Sequence, residues 1–496
     1  MRRYVLIYIM LCLAMPSSGQ SKIVKSFTPA CDSLSVLIHE RTGVKGPVKL
    51  KAVMKRGNTL DFYFTETLGD FPWRKQDVRW LRPTFKSIFP EQYSKYRLGE
   101  IYSRKVSVDR LITPELTFNG SPSESRYKVK APAGSEQLVR NTDALNFKKG
   151  LEGRHIALWQ SHGRYYNAGA DKWEWQRPCL FQTCEDMLTQ GFVLPYLVPM
   201  LENAGAYVLL PRERDIQTNE VICDNDPSEG WRGCATYEES GKWADAGVGF
   251  ADAKPVYEGT DNPFAMGTVR QTACVGPKAK PNASIKWCPQ MPERGEYAVY
   301  VSYKSLPSST TAAHYTVHHM GGTSEFIVNQ KMGGGTWIYL GTFEFNEGGD
   351  GYVMLDNGTP EGHRLEVGAI VTADAVRFGG GTGNIARSGK IAPEDSTSVI
   401  VEPSVSGLPR SAEAARYWLQ WAGADSTIFH QNEGKNDYKD DFMSRGDWVE
   451  WISRDSRVNP KKTGGLGIPI DLSFGFHTDA GVTQTNSLDQ TYVAVA

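Results

Sequence analysis

The spacing of hydrophobic positions changes twice along this chain of 496 residues, and each change marks a different kind of secondary structure. Residues 150–215 show a strand-length apolar run, a long loop, a helical run and a second short strand. Strands that alternate with helices favour a parallel β-sheet. From about 236 to 380 the apolar runs are short and are separated by glycine-rich turns, which predicts an antiparallel β-sandwich. Helical spacing returns after Gly379-Gly380-Gly381.

Two helices and a strand are predicted in the last quarter of the chain. Apolar residues at positions i, i+3, i+4 and i+7 predict the first helix, and they are Ala414, Tyr417, Trp418 and Trp421. A second helix is expected over about 440–452. Residues 468–476 alternate between apolar and polar or small side chains. His477 therefore shares a face of this strand with Asp471 and Ser473 rather than with the core.

The segment between the first two strands combines an aromatic loop with a helix that contains prolines. The loop over 163–182 carries four aromatic residues, which are Tyr165, Tyr166, Trp173 and Trp175. Long loops on α/β scaffolds often contact substrate, so these four are candidate substrate-binding residues. The helix contains Pro195 and Pro199. Because an interior proline costs about 3 kcal/mol, we expect a kink or break near 191–195.

Residues 20–145 have mixed patterning and no recognisable catalytic motif. A strand is expected over 60–64, and a helix over 76–88 that Pro83 interrupts. We expect a packing or pro-segment-like domain of unknown role.

The first 19 residues are typical of a secretory signal. Arg2-Arg3 precede an apolar run over 5–15, which is too short to span a bilayer. Small residues at Ser17 and Gly19 suit cleavage before Gln20. No later run is long enough for a transmembrane anchor, so we expect an exported protein in the periplasm, at the cell surface or outside the cell. Its oligomeric state is not indicated.

The cysteines suit an oxidising compartment. Three pairs are close in sequence and are candidates for disulfides, and they are Cys179/Cys184, Cys223/Cys234 and Cys274/Cys288. Cys31 would remain odd, and the sequence does not fix the pairing.

The charge balance excludes an electrostatic nucleic-acid binder. Lys and Arg number 55 and Asp and Glu number 56, which gives a net charge of −1. The chain has 13 Trp and 22 Tyr residues, and these are compatible with glycan contact, although most are expected in cores and strands.

Three residues suit a hydrolytic zinc site: His162, Glu185 and His477. His162 ends the first strand, Glu185 starts the helix, and His477 ends the strand over 468–476. Two imidazoles and one carboxylate leave one zinc position open for water, as in catalytic rather than structural sites. Asp479 is a candidate to orient His477 and a weak candidate catalytic base. Taken singly, each of these residues also suits an ordinary surface, helix-start or strand-end role.

The order of these residues resembles that of the zinc-dependent N-acetylmuramoyl-L-alanine amidases. The pair His162-Gly163 matches the end of the family's first strand, and Glu185 matches the head of its next helix. The run over 201–212, followed by Asp215, matches a helix that leads through a glycine into a strand ending in an Arg/Asp cluster. Phe476-His477-Thr478-Asp479-Ala480 matches the family's later histidine motif. The resemblance implies an amidase-like α/β sheet with flanking helices.

One feature of that family is missing. Its members use a glutamate on a late strand as general base, well after the second histidine, but the residues after His477 contain no Glu. The final run over 491–496 looks like a strand cut short, so the chain given is expected to be a fragment or to lack its base. We therefore expect zinc binding with poor hydrolysis.

The segment over 236–380 resembles the non-catalytic β-sandwich of golvesin-type proteins and xanthan lyases. The resemblance rests on the run over 295–303 and on Thr372-Ala373-Asp374-Ala375-Val376-Arg377-Phe378. It implies polymer or glycan binding, and we expect this module to fold by itself. A metal site at His314 and His318 is a weaker alternative to a surface strand there.

These observations divide the chain into five segments. They are a signal peptide (1–19), an N-terminal domain (20–145), the first part of an amidase-like α/β domain (146–235), a golvesin-like sandwich (236–382) and the second part of the α/β domain (383–496). The predicted function is an exported zinc amidase acting on peptidoglycan or a related glycopeptide. The alternatives are a non-catalytic glycan-binding protein on a degenerate amidase scaffold and, less favoured, a polysaccharide lyase.

Overall fold

The computed structural model describes residues 18–103, 106–112, 136–142, 150–177, 179–180, 183–226, 234–387, 403–485 and 488–495. The chain forms two compact units, 1–130 and 131–496. Most of the predicted signal peptide lies outside the described residues. Within the described residues, no helix has the length and apolar character needed to cross a membrane.

In its described residues, the first unit packs three α-helices and a four-stranded sheet around an aromatic core. Its elements are α1 (Ser18–Ser26), α2 (Thr28–Thr42), β1 (Leu50–Arg56), β2 (Thr59–Phe64), α3 (Lys75–Ser87), β3 (Arg97–Ser103) and β4 (Val106–Ser107). The strand order is β1-β2-β3-β4, and the β2–β3 pair is parallel. Phe27, Phe62 and Phe85 are buried together at the centre.

The predicted interruption at Pro83 is wrong. The helix α3 continues through Pro83 to Ser87. Val78, Leu81 and Phe85 are all buried on its inward face. Packing of this face compensates for the one backbone hydrogen bond that a proline removes.

The second unit begins with short strands and the helical segment that holds Glu185. Its first elements are β5 (Val139–Asn141), β6 (His155–Gln160), β7 (Tyr165–Asn167), β8 (Lys172–Glu174), β9 (Cys179–Leu180), β10 (Thr183–Cys184), α4 (Glu185–Phe192), α5 (Val198–Asn203) and β11 (Tyr207–Leu209). The expected break between the helices is present as a π-helical turn, Val193–Leu197, which contains Pro195. Gly205 then adopts φ +100, a conformation that favours glycine, where the chain turns into β11.

An antiparallel β-sandwich follows, as the alternating pattern predicts. Its strands are β12 (Val221–Cys223), β13 (Cys234–Ser240), β14 (Ala244–Gly249), β15 (Gly267–Ala273), β16 (Ser284–Pro289), β17 (Gly295–Val301), β18 (Ala313–His319), β19 (Gly322–Val328), β20 (Ile338–Phe345), β21 (Tyr352–Asp356), β22 (Ile370–Ala373) and β23 (Val376–Phe378). One sheet has the order β12-β23-β17-β20 and a second β13-β16-β21-β18-β19-β5, with a smaller sheet β14-β15-β22.

The last described elements return to helices and a strand. They are α6 (Ala415–Trp421), α7 (Ser426–Phe429), α8 (Asp437–Ser453), β24 (Ile470–Phe476), β25 (Thr478–Thr485) and β26 (Leu488–Val495). Both predicted helices are present. The strands β25 and β26 form an antiparallel hairpin directly after His477.

The strands β11, β6 and β24 form a three-stranded parallel sheet in that order. Ile156 and Leu158 of β6 belong to a core with Val193 and Val198 of the helical segment. Ala157, on the opposite face of β6, belongs to the core of the sandwich. The sheet therefore lies between the α4–α5 layer and the rest of the unit.

The sandwich shares its hydrophobic core with the helices of the last quarter. Tyr417, Trp418 and Trp421 of α6 and Trp448 of α8 belong to the same buried cluster as the sandwich strands. Every residue of α6 is buried. In addition, β12 and β5 pair within the sandwich sheets although they lie before residue 236. Independent folding of the sandwich stays a prediction, and the shared core argues against it, because isolating the sandwich would expose buried side chains that the helices cover.

The predicted cysteine pairs are not linked where the structure describes both partners. Cys223, Cys234, Cys274 and Cys288 are free thiols. Cys179 and Cys184 lie opposite each other in the β9–β10 pair. The Cys179 side chain lies outside the described residues, so a disulfide with Cys184 stays a prediction.

Candidate metal centre

Polar side chains gather at the edge where the parallel strands end. His162 follows β6 by two residues, and His477 follows β24 directly. Glu185 is the first residue of α4. Because β6 and β24 are adjacent and parallel, their carboxyl ends lie side by side, which is where α/β proteins place ligands. The structure thus brings together the three residues that the sequence singled out.

The spacing of these three side chains suits a small metal ion. One ligand atom from each of His162, Glu185 and His477 lies within 4.8 Å of the others. Glu185 Oε1 is 3.7 Å from His162 Nδ1 and 3.4 Å from His477 Nδ1. Two atoms bound to one tetrahedral zinc ion at about 2.0–2.1 Å lie about 3.3 Å apart. The three ligand atoms are therefore close to the spacing of zinc ligands.

Both imidazoles are held in the neutral form that a metal ligand requires. Burial lowers the pKa of His162 to about 2, and the guanidinium of Arg445 adds to this shift. Burial also lowers the pKa of His477, again helped by Arg445, while the carboxylate of Glu185 opposes the shift. At neutral pH neither ring carries a second proton that would compete with a metal.

Asp186 is a further carboxylate beside the cluster, and the sequence analysis missed it. Its side chain is 0% exposed, and neither oxygen makes a hydrogen bond of ordinary geometry. Its Oδ1 lies 4.0 Å from His162 Nδ1. Burial raises the pKa of Asp186 to about 6, whereas Arg212 and two nearby backbone amides lower it. A buried carboxylate that has only weak backbone donors is costly, and a divalent cation here would reduce that cost. The donor set and this buried carboxylate both fit zinc.

Ser161 was also missed, and its hydroxyl lies at the centre of the cluster. The Oγ atom donates to Glu185 Oε1 at 2.7 Å and lies 2.8 Å from His162 Nδ1 and 3.3 Å from His477 Nδ1. The backbone of Ser161 has φ +47, which non-glycine residues rarely adopt. In the metal-free protein, this hydroxyl holds the three side chains together. A glycine would have indicated a positive φ in the sequence, but a serine does not, so the sequence gives no sign of this conformation.

Substitution of Ser161 separates backbone strain from hydroxyl bonding. Ser161→Gly and Ser161→Ala both remove the hydroxyl, but only glycine relieves the strain of the left-handed conformation. We expect the glycine variant to be more stable than the alanine variant by about 1 kcal/mol. Urea unfolding of the two metal-free proteins measures this difference. Equal stabilities would contradict the strained backbone.

His477 is oriented by Trp159. The indole N–H of Trp159 lies 3.3 Å from His477 Nε2 and donates to it, which places the imidazole proton on Nδ1 in the metal-free protein. Gly475 allows this contact, because a Cβ there would lie 2.1 Å from the indole nitrogen.

The loop that carries His162 is held by close backbone contacts. A Cβ on Gly163 would lie 2.4 Å from the carbonyl group of Glu413, so glycine is required there. Arg212, which is 1% exposed, donates to the carbonyls of Gln160 at 2.7 Å and Glu413 at 2.9 Å, and also to those of Ser411 and His162. Arg212 therefore fixes the backbone of His162 from behind. Asp215, the other member of the predicted Arg/Asp cluster, instead accepts from the Ala298 amide of the sandwich.

The four aromatic candidates differ in exposure. Tyr166 is buried, whereas Trp173 is partly exposed and packs against Tyr417 of α6. Tyr165 and Trp175 remain partly exposed, and the guanidinium of Arg164 lies 4.6 Å from the Trp175 ring. Substrate binding stays a prediction for Tyr165, Trp173 and Trp175, whereas the ring of Tyr166 is too buried to contact substrate.

Arg177 is the exposed cation of the centre. Its side chain is 37% exposed, its Nε lies 3.6 Å from Glu185 Oε2, and it donates to the Tyr438 hydroxyl at 2.8 Å. Asp479 lies on β25, and its side chain is outside the described residues. In the sandwich, His314 is hydrogen-bonded to Asp356 at 2.8 Å, which suits a surface strand.

Comparison with known proteins identifies the sandwich. A protein family described as "Golvesin C-terminal domain" matches residues 263–380, a range that contains β15 to β23. A protein named xanthan lyase from Bacillus sp. (strain GL1) is 35% identical over 102 residues, which are 20% of this chain and 10% of that protein. The matched part is thus about a tenth of the relative.

Three solved structures resemble part of the chain. A Paenibacillus xanthan lyase has 26% identity and a TM-score of 0.24, and the match covers 32% of this chain and 13% of that chain. CBM35 of Abf62 from Cellvibrio japonicus has 13% identity and a TM-score of 0.21, and the match covers 34% of this chain and 98% of that chain. The C-terminal CBM6 of LamC from Zobellia galactanivorans has 9% identity and a TM-score of 0.19, and the match covers 32% of this chain and 99% of that chain. TM-scores this low establish no fold for the whole chain.

The sandwich is therefore related in sequence to the golvesin C-terminal domain and to part of a xanthan lyase. The golvesin match does not extend to His162, Glu185 or His477. The candidate metal centre therefore rests on the spacing of these three side chains alone.

Proposed function

We propose that this protein is exported and binds a polysaccharide of the cell envelope or its surroundings through the β-sandwich. The observation that carries this proposal is the match of residues 263–380 to the golvesin C-terminal domain, together with 35% identity to a segment of a protein named for xanthan. Peptidoglycan and other envelope glycans are the polymers to test first.

The outer face of the six-stranded sheet offers an aromatic platform. On neighbouring strands, the rings of His318 and Tyr352 stack at a centroid distance of 3.9 Å. Lys286 lies on β16, which is also a neighbour of β21, and its ammonium is 4.1 Å from the Tyr352 ring. A flat ring with adjacent hydrogen-bond donors suits the apolar face and hydroxyls of a sugar.

Replacing Tyr352 by alanine is expected to weaken polysaccharide binding about tenfold, the equivalent of about 1.4 kcal/mol. Affinity electrophoresis in xanthan and sedimentation with insoluble peptidoglycan measure the change. Tyr196→Ala is the matched control, because Tyr196 is 61% exposed but lies in the π-helical turn outside the sandwich. Equal losses in both variants, or none in Tyr352→Ala, would exclude this face.

A second activity is proposed for the metal centre: zinc-dependent hydrolysis of an amide bond in peptidoglycan or a related glycopeptide. The observation that favours it is the spacing of His162, Glu185 and His477, which are the residues that would hold the ion. Zinc, when bound, would polarise the scissile carbonyl and lower the pKa of a water molecule. The amidase-like scaffold without catalysis remains the alternative.

The surrounding residues have separate tasks in this proposal. Arg177 presents an exposed guanidinium beside the ligands, suited to a carbonyl or carboxylate of the substrate. Trp175 and Tyr165 provide apolar surface on the same loop. Asp186 is fully buried, so it can stabilise the ligands but cannot touch substrate. Asp479 remains a candidate base, to be tested as Asp479→Asn.

The activity is tested by the release of stem peptide from purified peptidoglycan by the zinc-loaded protein. We expect little release, in line with the missing general base, and we expect a chelator and His162→Ala to abolish what remains; Arg177→Met should raise KM more than it lowers kcat. Formation of an unsaturated uronate from xanthan would instead identify a lyase. Zinc-loaded protein that binds glycan but releases no amine would leave the non-catalytic alternative standing.

A further inference from the structure

A groove of 680 Å³ lies between the helical segment that follows Glu185 and the edge of the sandwich. Its first wall is one face of that segment, from Gln190 in α4 to Glu202 in α5. Its second wall consists of residues 214–218, which come after β11, and of positions on β17 and β20. The strand β20 is the last in the order of its sheet. The groove therefore lies where the α4–α5 layer meets a sheet edge.

One end of the groove is close to the candidate metal centre. Gln190 lies on the same helix as Glu185, about 8 Å further along its axis at 1.5 Å per residue. Its Oε1 atom is 3.5 Å from Nη2 of Arg212, which holds the backbone of His162. The helical segment continues for about 18 Å from Gln190 to Glu202. The groove is thus long enough for a chain rather than for a single small molecule.

Both walls of the groove carry apolar side chains. They are Leu194, Pro195, Val198 and Pro199 on the helical segment and Ile216 on the opposite wall. Ile216 is 71% exposed, so its side chain is available to a ligand. Aliphatic side chains and proline rings on facing walls suit the C–H faces of sugar rings.

The polar lining includes a buried guanidinium with an unused donor. The side chain of Arg214 is 10% exposed, lies 3.9 Å from the Tyr339 ring and donates to Glu202 at 2.8 Å. Its Nη1 atom is buried without a hydrogen-bond partner. A buried donor of this kind costs free energy unless an acceptor reaches it. A hydroxyl oxygen of a ligand in the groove would be such an acceptor.

The charges of the groove favour a neutral ligand. Among the described residues that line it, three carboxylates face one guanidinium, and these are Glu202, Asp215 and Glu296. This surplus of negative charge repels a chain of uronates. The amides of Gln190 and Gln217 place donors and acceptors side by side. Sugar hydroxyls, which both donate and accept, match such a lining.

We propose that this groove binds a neutral glycan chain and is a second glycan site, separate from Tyr352 on the outer face of the six-stranded sheet. The inference rests on the proposed polysaccharide binding, and it names the class of polymer as neutral sugars rather than uronates. A chain held in the groove lies along α4, with one end near the candidate metal centre.

Calorimetric titration of the intact, metal-free protein tests the groove. The probes are chitotetraose, a neutral oligomer of N-acetylglucosamine, and tetragalacturonate, and we expect only chitotetraose to bind. Ile216→Ala should weaken this binding about fivefold, because an apolar contact with the sugar is lost. Val367→Ala is the matched control, because Val367 is a fully exposed β-branched residue outside the groove. Tyr352→Ala should keep the binding of chitotetraose.

Reversal of one charge tests the selectivity. Glu296→Lys replaces an exposed carboxylate of the groove by an ammonium, so tetragalacturonate binding should increase at least about tenfold. Glu347→Lys, an exposed reversal outside the groove, should leave it unchanged. Equal effects of the two reversals would contradict the assigned selectivity.

Two further results would overturn the proposal. Intact protein that binds tetralysine but not chitotetraose would have a groove for basic peptides, and intact protein that binds neither would have no ligand site here. Binding that Tyr352→Ala loses and Ile216→Ala keeps would leave the outer face as the glycan site. The groove would then fail while the proposed polysaccharide binding stands.

Discussion

Arg212→Met is expected to destabilise the second unit by about 3–5 kcal/mol. Arg212 is buried behind the metal centre and donates to four backbone carbonyls, including those of Gln160 and His162. Methionine fills a similar volume but leaves these carbonyls without donors and removes the guanidinium that lowers the pKa of Asp186. Chemical denaturation of the metal-free protein measures the loss.

The same substitution should also weaken zinc binding, because the backbone of His162 is no longer fixed. Arg457→Met is the matched control. Its side chain is 30% exposed and lies 3.7 Å from Asp471, so we expect a change of less than about 1 kcal/mol. A loss for Arg212→Met no larger than that of the control would contradict the assigned role.

Arg377→Met is expected to cost a similar 3–5 kcal/mol, about the effect of removing one partner from a buried ion pair. Arg377 is fully buried in β23 and lies 2.8 Å from Glu213. Its guanidinium also lies 3.9 Å from the Tyr300 ring and 5.0 Å from the Trp418 ring of α6. It thus connects the sandwich to the helices at their shared core. Arg377→Lys should rescue little, because lysine cannot reproduce a planar group between rings.

The consequence for cooperativity is measurable. If the sandwich and the helices form one core, they unfold in a single transition. Near-ultraviolet circular dichroism of the tryptophans and hydrogen exchange of the β17 amides should then report the same lowered unfolding midpoint in Arg377→Met. Arg294→Met is the control, because its pair with Glu344 is exposed and should contribute less than about 1 kcal/mol. Separate transitions for strands and helices in Arg377→Met would show that the sandwich is an independent domain after all.

Local patterns were sufficient for the elements that carry the metal centre. The alternation over 468–476 predicted the strand that presents His477, and the strand–helix–strand pattern predicted the parallel pairing of β6 with β11. Glu185 was found because a helix start follows a loop at that position. These features depend on neighbours in sequence, so a single chain reveals them.

Long-range packing was not predictable in the same way. The serine at position 161 does not indicate a left-handed backbone. Asp186 becomes a candidate residue of the site only because α4 buries it beside His162. The apolar spacing around Trp418 predicted a helix but not that the sandwich would cover its remaining faces. Pro83 predicted a break that packing of Phe85 prevents. Each of these outcomes depends on residues distant in sequence.

The metal content of the intact protein, purified without chelator and measured by elemental analysis, tests the metal centre most directly. Three neutral or acidic ligands at this spacing predict one zinc ion per chain in the intact protein. His162→Ala and His477→Ala should purify with zinc near zero while their circular dichroism spectra stay unchanged. Intact protein without zinc, or either variant with its full zinc content, would contradict the assignment of His162, Glu185 and His477 as ligands.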